Sequence, residues 1–143
     1  MPNHLTARYG LIHGAYWASY AAIAAYVNLY LLEMGFSSGA IGVLIALAGL
    51  LSALLQPLTA SYADRETSPN LKTINLAIAA LWMLSALGLL VFHKNKVASL
   101  LFYGGCLSLL QLQTPLVNGL GVTSINCGCK LNYGVSKSVS SVT

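Results

Sequence analysis

The sequence has very little charge. Seven lysines and arginines and three aspartates and glutamates make up 7% of its 143 residues. A soluble domain carries about a quarter charged residues, because its surface must be hydrated. With 57% hydrophobic residues and a mean hydropathy of +0.72, this chain would expose too much apolar surface to water. The scarcity of charge therefore excludes an ordinary water-soluble domain and favours a membrane protein.

Motifs of enzyme chemistry are also lacking. The sequence contains no Ser-His-Asp order, no glycine-rich phosphate loop and no pair of residues spaced as metal ligands. Cys127 and Cys129 form a Cys-Gly-Cys tripeptide without a nearby histidine, and together with Cys106 they are interpreted as three ordinary thiols. Basic and aromatic residues do not interleave in a patch that would bind nucleic acid. We therefore predict no enzymatic activity, no cofactor, no metal and no nucleic-acid partner.

What the sequence does contain is a series of long apolar segments. Residues 38–63 and 73–92 contain no Asp, Glu, Lys, Arg or His. Each is long enough to cross a hydrocarbon core of about 30 Å at roughly 1.5 Å per residue. Short polar breaks divide the chain into four helices, which we predict at residues 9–32, 38–63, 71–93 and 97–125. The fold class expected is an all-α, polytopic transmembrane bundle in the lipid bilayer.

The distribution of cations predicts an orientation for this bundle. If the N-terminus is cytoplasmic, the inner segments carry most of the cations, which are Arg8, Arg65, Lys72, Lys130 and Lys137. The outer segments then carry only Lys94 and Lys96. Because cytoplasmic loops are enriched in Lys and Arg, we expect a multi-pass protein with its N-terminus inside.

The first predicted helix places polar and aromatic residues at membrane depth. Tyr16 and Tyr20 lie near its middle, where their rings could stack on a sugar or another flat ligand. Interfacial anchoring better explains tyrosines near the helix ends, such as Tyr26. His13 is the titratable group within these spans whose charge can change near neutral pH, which makes it a candidate proton-sensitive residue. A buried, neutral and hydrogen-bonded histidine is the alternative.

The fourth predicted helix carries a polar seam. Its members recur every three or four positions and so share one face; they are Gly104, Ser108, Gln111, Pro115 and Asn118. Polar side chains at membrane depth need partners or water, so this face should turn inward. Pro115 also frees a backbone carbonyl in the same stretch. Two interpretations stay open: the seam lines a solute path, or it only hydrogen-bonds to neighbouring helices.

The connection between the second and third helices is the most charged part of the chain. Solvation of an interfacial loop is one explanation for these charges. The stretch LLQPLTASYADR at residues 54–65 also resembles a loop of the major facilitator superfamily, whose pattern there is G-x-x-x-D-[RK]-x-G-[RK]-[RK]. Asp64 and Arg65 match the D-[RK] pair, whereas Ala60 replaces the first glycine. The segment ETSPNLK replaces the second glycine and the basic pair, and Lys72 is its cation. The resemblance implies that Asp64 and Arg65 form a gating loop.

Three segments, the first of them within that stretch, resemble the oligosaccharide and proton symporter branch of that superfamily. They are QPL at residues 56–58, TPLVN at 114–118 and NYGVSK at 132–137. That branch often has a carboxylate where Asn118 stands and an arginine where Lys137 stands, and the pair engages a polar substrate. Asn118 donates and accepts hydrogen bonds but does not titrate, and Lys137 lacks the planar fork of arginine. With these two, the substrate-lining candidates are Tyr16, Tyr20, Gln111, Asn118 and Lys137.

The resemblance implies a secondary active transporter in the cell membrane, with proton-coupled uptake of a small polar solute such as a sugar or oligosaccharide. Members of this superfamily have about twelve helices in two halves, so the resemblance covers only the first third of one. Residues 131–143 look like the truncated start of a fifth helix. We expect an N-terminal fragment whose missing partner is the C-terminal half of the same transporter. The alternative is a transport-incompetent membrane fragment from a decayed or frameshifted gene.

Overall fold

The structure is a computed structural model of the chain, and it describes residues 4–63, 65, 69–126 and 134. Within these residues the chain folds into four helices, α1 (His4–Glu33), α2 (Ser38–Ala63), α3 (Leu71–Val91) and α4 (Lys96–Asn126). The predicted all-α fold class is confirmed. Most of the segment interpreted as the start of a fifth helix lies outside the described residues.

Local chemistry determines where the helices end more closely than hydropathy does. α1 begins at His4, before its predicted start at residue 9, because residues 4–8 contain neither proline nor glycine and continue the helix past the apolar segment. α3 ends at Val91 instead of residue 93, and its final turn closes where the Phe92 amide donates to the Gly88 carbonyl. α4 extends one residue beyond its predicted span at each end.

Side-chain caps define where three of the helices begin. The Ser37 hydroxyl accepts from the Ala40 amide, and the Asn70 side chain accepts from the Lys72 amide at 3.2 Å. The Asn95 side chain accepts from the amides of Val97 and Ala98. Each cap satisfies backbone donors that a helix N-terminus leaves without a partner. The polar breaks of the sequence therefore start the next helix as well as ending the previous one.

Gly35 ends α1 through a left-handed backbone conformation, with φ of +83°. Its amide donates to the Leu32 carbonyl, and the Phe36 amide donates to the Leu31 carbonyl. These two bonds are a Schellman motif, which glycine favours because it has no Cβ. Phe36 then packs against the cluster that contains Leu31, so the short connection turns the chain directly into α2.

The fourth helix occupies the centre of the bundle and packs against the other three. Half of its most apolar 18-residue window is buried, compared with 17% for α2 and α3. Tyr103, Leu107, Leu110 and Leu116 on α4 belong to three separate clusters that reach α1, α2 and α3. Because α4 is enclosed on several sides, its polar residues meet more than one neighbour.

Three of the helices are long and apolar enough to cross a membrane, namely α2, α3 and α4 up to Thr123. α1 is not among them, although its 30 residues exceed the length needed. Tyrosines, Trp17 and His13 lower its apolar character. A crossing by α1 stays a prediction.

Candidate functional site

The helical turn of α4 that contains Pro115 lies at the centre of the polar contacts inside the bundle. Pro115 has no amide hydrogen, so the Gln111 carbonyl one turn earlier loses its helical donor. Gln56 on α2 replaces that donor, because its side-chain amide lies 3.4 Å from the Gln111 carbonyl oxygen. The backbone group that the proline frees is therefore satisfied from a neighbouring helix, as a membrane interior requires.

Two tyrosines of α1 bind other carbonyls of the same region. The Tyr16 hydroxyl is 2.6 Å from the Leu110 carbonyl oxygen and also contacts the Thr114 hydroxyl. The Tyr9 hydroxyl donates to the Val117 carbonyl at 3.2 Å. Both tyrosines are buried, so these bonds form away from solvent and tie α1 to α4.

The third helix completes the arrangement. The Asn75 side-chain amide donates to the Leu116 carbonyl at 3.2 Å. The Trp82 indole donates to the Gln113 side-chain oxygen at 2.9 Å, and the Gln113 amide donates to the Asn75 carbonyl. The α4 carbonyls of Leu110, Gln111, Leu116 and Val117, which we call the proline belt, thus accept side-chain donors from all three other helices.

Next to the proline belt, α1 and α4 share a polar pair. His13 Nε2 lies 3.1 Å from Asn118 Oδ1, and His13 is 1% exposed. The Trp17 ring follows, 6.3 Å from the His13 ring, and Tyr20 meets Trp17 edge to face at 5.6 Å between centroids. We call Asn118, His13, Trp17 and Tyr20 the polar–aromatic array.

The structure brings several predicted site residues together. Tyr16 donates to the proline belt, Gln111 belongs to it, and Asn118 and Tyr20 stand at the two ends of the polar–aromatic array. Ser108, another member of the predicted seam, donates to the Gly104 carbonyl within its own helix. The hydroxyl of Tyr16 and the amide of Asn118 both hold α1 against α4, so packing accounts for at least one contact of each.

The predicted gate and the predicted lysine cannot be placed in this geometry. Asp64 and Lys137 lie outside the described residues. Arg65 is exposed after the end of α2, and its amide donates to the Tyr62 carbonyl at 3.3 Å. The pairing of Asp64 with Arg65 therefore stays a prediction.

Sequence reasoning missed part of this site. Gln113, Asn75 and Gln56 were not predicted as site residues, although Gln113 and Asn75 are each 6% exposed. Gln113 is two residues from Gln111, so it points to another side of α4 and falls off a seam defined by one face. The signal that could have found it is that polar residues occur on several sides of α4, because polar side chains at membrane depth face the interior of a bundle.

An open groove lies beside the proline belt, between α2 and α4. It encloses about 500 Å³ and is bordered by Gln56, Pro57, Thr59, Pro115 and Gly119. Both prolines lie inside their helices and remove a backbone hydrogen bond next to this groove. The space therefore adjoins the two positions where the backbone can bend most readily.

The chain matches a known protein family. A family model described as the MFS_1 like family matches residues 9–142, nearly the whole chain. Neither the comparison with curated proteins nor that with solved structures gives a match. The matched range contains the proline belt and the polar–aromatic array in full.

Proposed function

This chain belongs to the MFS_1-like family, and from that premise we propose that it serves proton-coupled uptake of a small polar solute such as a sugar or oligosaccharide. Membership supports a transporter of the major facilitator superfamily and agrees with its three apolar helices. The solute class and the coupling to protons are our proposal. We also propose that it acts in the cell membrane with its N-terminus inside, joined to a C-terminal half of the same transporter.

The observation that carries the solute class is the polar–aromatic array. A sugar presents hydroxyl groups at its edge and C–H groups on its faces. Asn118 offers an amide for the hydroxyls, whereas Trp17 and Tyr20 offer rings for the faces. Both aromatic residues are half-buried, so they combine a fixed geometry with access from outside the bundle.

The contact between His13 and Asn118 supports a role in proton coupling. The chain has three acidic residues, Glu33, Asp64 and Glu66, and all of them lie at helix ends or in a connection. A protonated His13 must donate through Nε2, so Asn118 Oδ1 acts as the acceptor. The amide hydrogens of Asn118 then stay available to a solute hydroxyl. Neutral His13 with its proton on Nε2 makes the same contact, so protonation acts here by excluding the tautomer that accepts at Nε2. Through that exclusion we propose that solute binding and protonation favour each other at this pair.

Two parts of the proposal rest on the resemblance. We propose that Asp64 and Arg65 gate the inner face during the exchange between the two access states, because a carboxylate at a helix exit can switch between partners. We propose that Lys137 joins Tyr16, Tyr20, Gln111 and Asn118 in lining the solute path.

The test is uptake by the protein encoded by the complete reading frame that contains this chain, purified and reconstituted in vesicles. We expect radiolabelled saccharide to accumulate when the vesicle interior is more alkaline than the medium, and a protonophore to abolish the accumulation. Asn118→Ala and Tyr20→Ala should weaken solute binding at unchanged insertion. Tyr26→Ala is the matched control, because Tyr26 is on the same helix but 62% exposed.

Each outcome has a defined meaning. Accumulation without dependence on the pH gradient would remove the proton from the proposal but keep the solute. Equal affinity for saccharide in Asn118→Ala and the parent would assign Asn118 to packing alone. Uptake no greater than in empty vesicles, for every saccharide, would contradict this solute class. A reading frame that encodes no further membrane helices would favour the alternative of a transport-incompetent membrane fragment.

A further inference from the structure

A second groove lies on another side of α4, between α1 and α3. It encloses about 420 Å³, and its walls are mainly apolar, with Ile12 from α1, Ala79 from α3 and Val117 from α4 among them. Lys72 is the charged residue on its border, and its side chain is exposed. The groove is therefore an apolar slot with a cation at one end.

Asn75 holds α3 against α4 at the wall of this groove. Its amide nitrogen donates to the carbonyls of Leu71 and Leu116, and the residue is 6% exposed. Its Oδ1 is closed off from the groove, so it is not available to an occupant. Lys72 is therefore the group that an occupant of the groove can bind.

The depth of these groups indicates what kind of molecule fits. α3 begins at Leu71, so Lys72 and Asn75 lie in its first two turns, at the level where an apolar helix enters the membrane. Trp82 lies ten residues beyond Lys72, which is about 15 Å farther along the helix. The groove thus runs from the headgroup level toward the middle of the bilayer.

We propose that this groove binds an anionic phospholipid, for which phosphatidylglycerol is the probe. Lys72 binds the phosphate, and one acyl chain lies along α3 toward Trp82. Phosphatidylcholine has no net charge, so it does not meet the electrostatic requirement. The site is separate from the polar–aromatic array, and the proposal does not depend on which solute is transported.

Trp82 is a built-in reporter for the test. The chain has two tryptophans, so Trp17→Phe leaves the fluorescence of Trp82 alone. The protein is reconstituted in phosphatidylcholine vesicles that contain a fixed, small fraction of either phosphatidylglycerol or phosphatidylcholine brominated on the acyl chains. We expect brominated phosphatidylglycerol to quench Trp82 with about fivefold higher apparent affinity, the ratio that about 1 kcal/mol per basic residue supports.

Variants assign the selectivity to the groove. Lys72→Gln removes the cation and Ala79→Phe fills the slot, and either should lower the quenching by phosphatidylglycerol to the phosphatidylcholine value. Lys94→Gln and Ala80→Phe are the matched controls, because Lys94 lies in the α3–α4 connection and Ala80 is the exposed neighbour of Ala79. Both controls should keep the parent selectivity.

Three results would overturn the proposal. The first is equal quenching of the parent protein by the two lipids. The second is full selectivity in both Lys72→Gln and Ala79→Phe. In the third case neither brominated lipid would quench Trp82, which would show that a protein segment covers the groove instead of a lipid.

Discussion

The side-chain amide of Gln56 lies 3.4 Å from the Gln111 carbonyl oxygen, the backbone group that Pro115 deprives of its helical donor. One residue of α2 thus compensates for a proline in α4. The bond connects the two helices at the border of the open groove between them. The backbone hydrogen bond that Pro115 removes from α4 is in this way replaced by one that joins α4 to α2.

A double-mutant cycle tests this compensation. Gln56→Leu should lower the free energy of unfolding by about 0.6 kcal/mol, and by no more than about 1.7 kcal/mol, the range for hydrogen bonds between membrane helices. In a Pro115→Ala background the alanine amide supplies the missing donor, so Gln56→Leu should then cost little. Unfolding in mixed detergent micelles, followed by circular dichroism, gives both values. Equal costs in the two backgrounds would show that Gln56 does not compensate for the proline.

Tyr16 should contribute to stability through its hydroxyl. Tyr16→Phe removes the bonds to Leu110 and Thr114 while keeping the ring, and we expect a loss of about 1 kcal/mol in the same unfolding assay. Tyr26→Phe is the control, since Tyr26 is 62% exposed and should tolerate the change. If both variants unfold like the parent, the hydroxyl of Tyr16 is free to serve another role, such as binding solute.

Close packing of α3 against α4 depends on Gly88. A Cβ added there would lie 2.6 Å from the ring of Phe102, which also stacks on Phe92. Gly88→Ala should therefore destabilise the protein by about 1–3 kcal/mol from overpacking, despite the better helix propensity of alanine. Gly42→Ala places the new methyl group more than 4 Å from any neighbouring helix and should be neutral or slightly stabilising. Thermal unfolding of the pair in detergent decides whether the methyl group is tolerated at residue 88.

Asp64 is expected to affect the rate of transport more than the affinity for solute. Asp64→Asn keeps the size of the side chain but removes its charge, so the exchange between access states should slow while solute affinity changes little. The two quantities are measured separately in vesicles made with the complete gene product. Unchanged uptake at normal expression would remove the gating role.

The helices were predictable because charge and capping chemistry mark them in the sequence. Residues 38–63 carry no charge and form α2 with those bounds, and Asn95 begins α4 where a polar break was expected. The central position of α4 could not be predicted, because in a lipid environment the outside of a bundle is as apolar as its core. Exposed Leu84 and buried Leu110 show this, since nothing in their local sequences separates them.

The site was predictable only as a set of residue types. Asn118 was expected to face inward and Tyr16 to line the solute path, but the contact of Asn118 with His13 joins positions 105 residues apart, and a single sequence holds no record of that pairing. Gln113 and Asn75 stood outside a seam defined by one face of one helix. Their roles appear only when α3 is packed against α4.

The most direct test of the transport mechanism is proton movement driven by solute. Vesicles containing the complete gene product are suspended in weakly buffered medium with a pH-sensitive dye outside, and saccharide is added without any imposed gradient. The proposed mechanism predicts that the medium becomes alkaline as the saccharide enters, and that Asn118→Ala diminishes the signal while Tyr26→Ala does not. Saccharide entry with no change in external pH would contradict proton coupling, and no entry at all would contradict transport of this solute class.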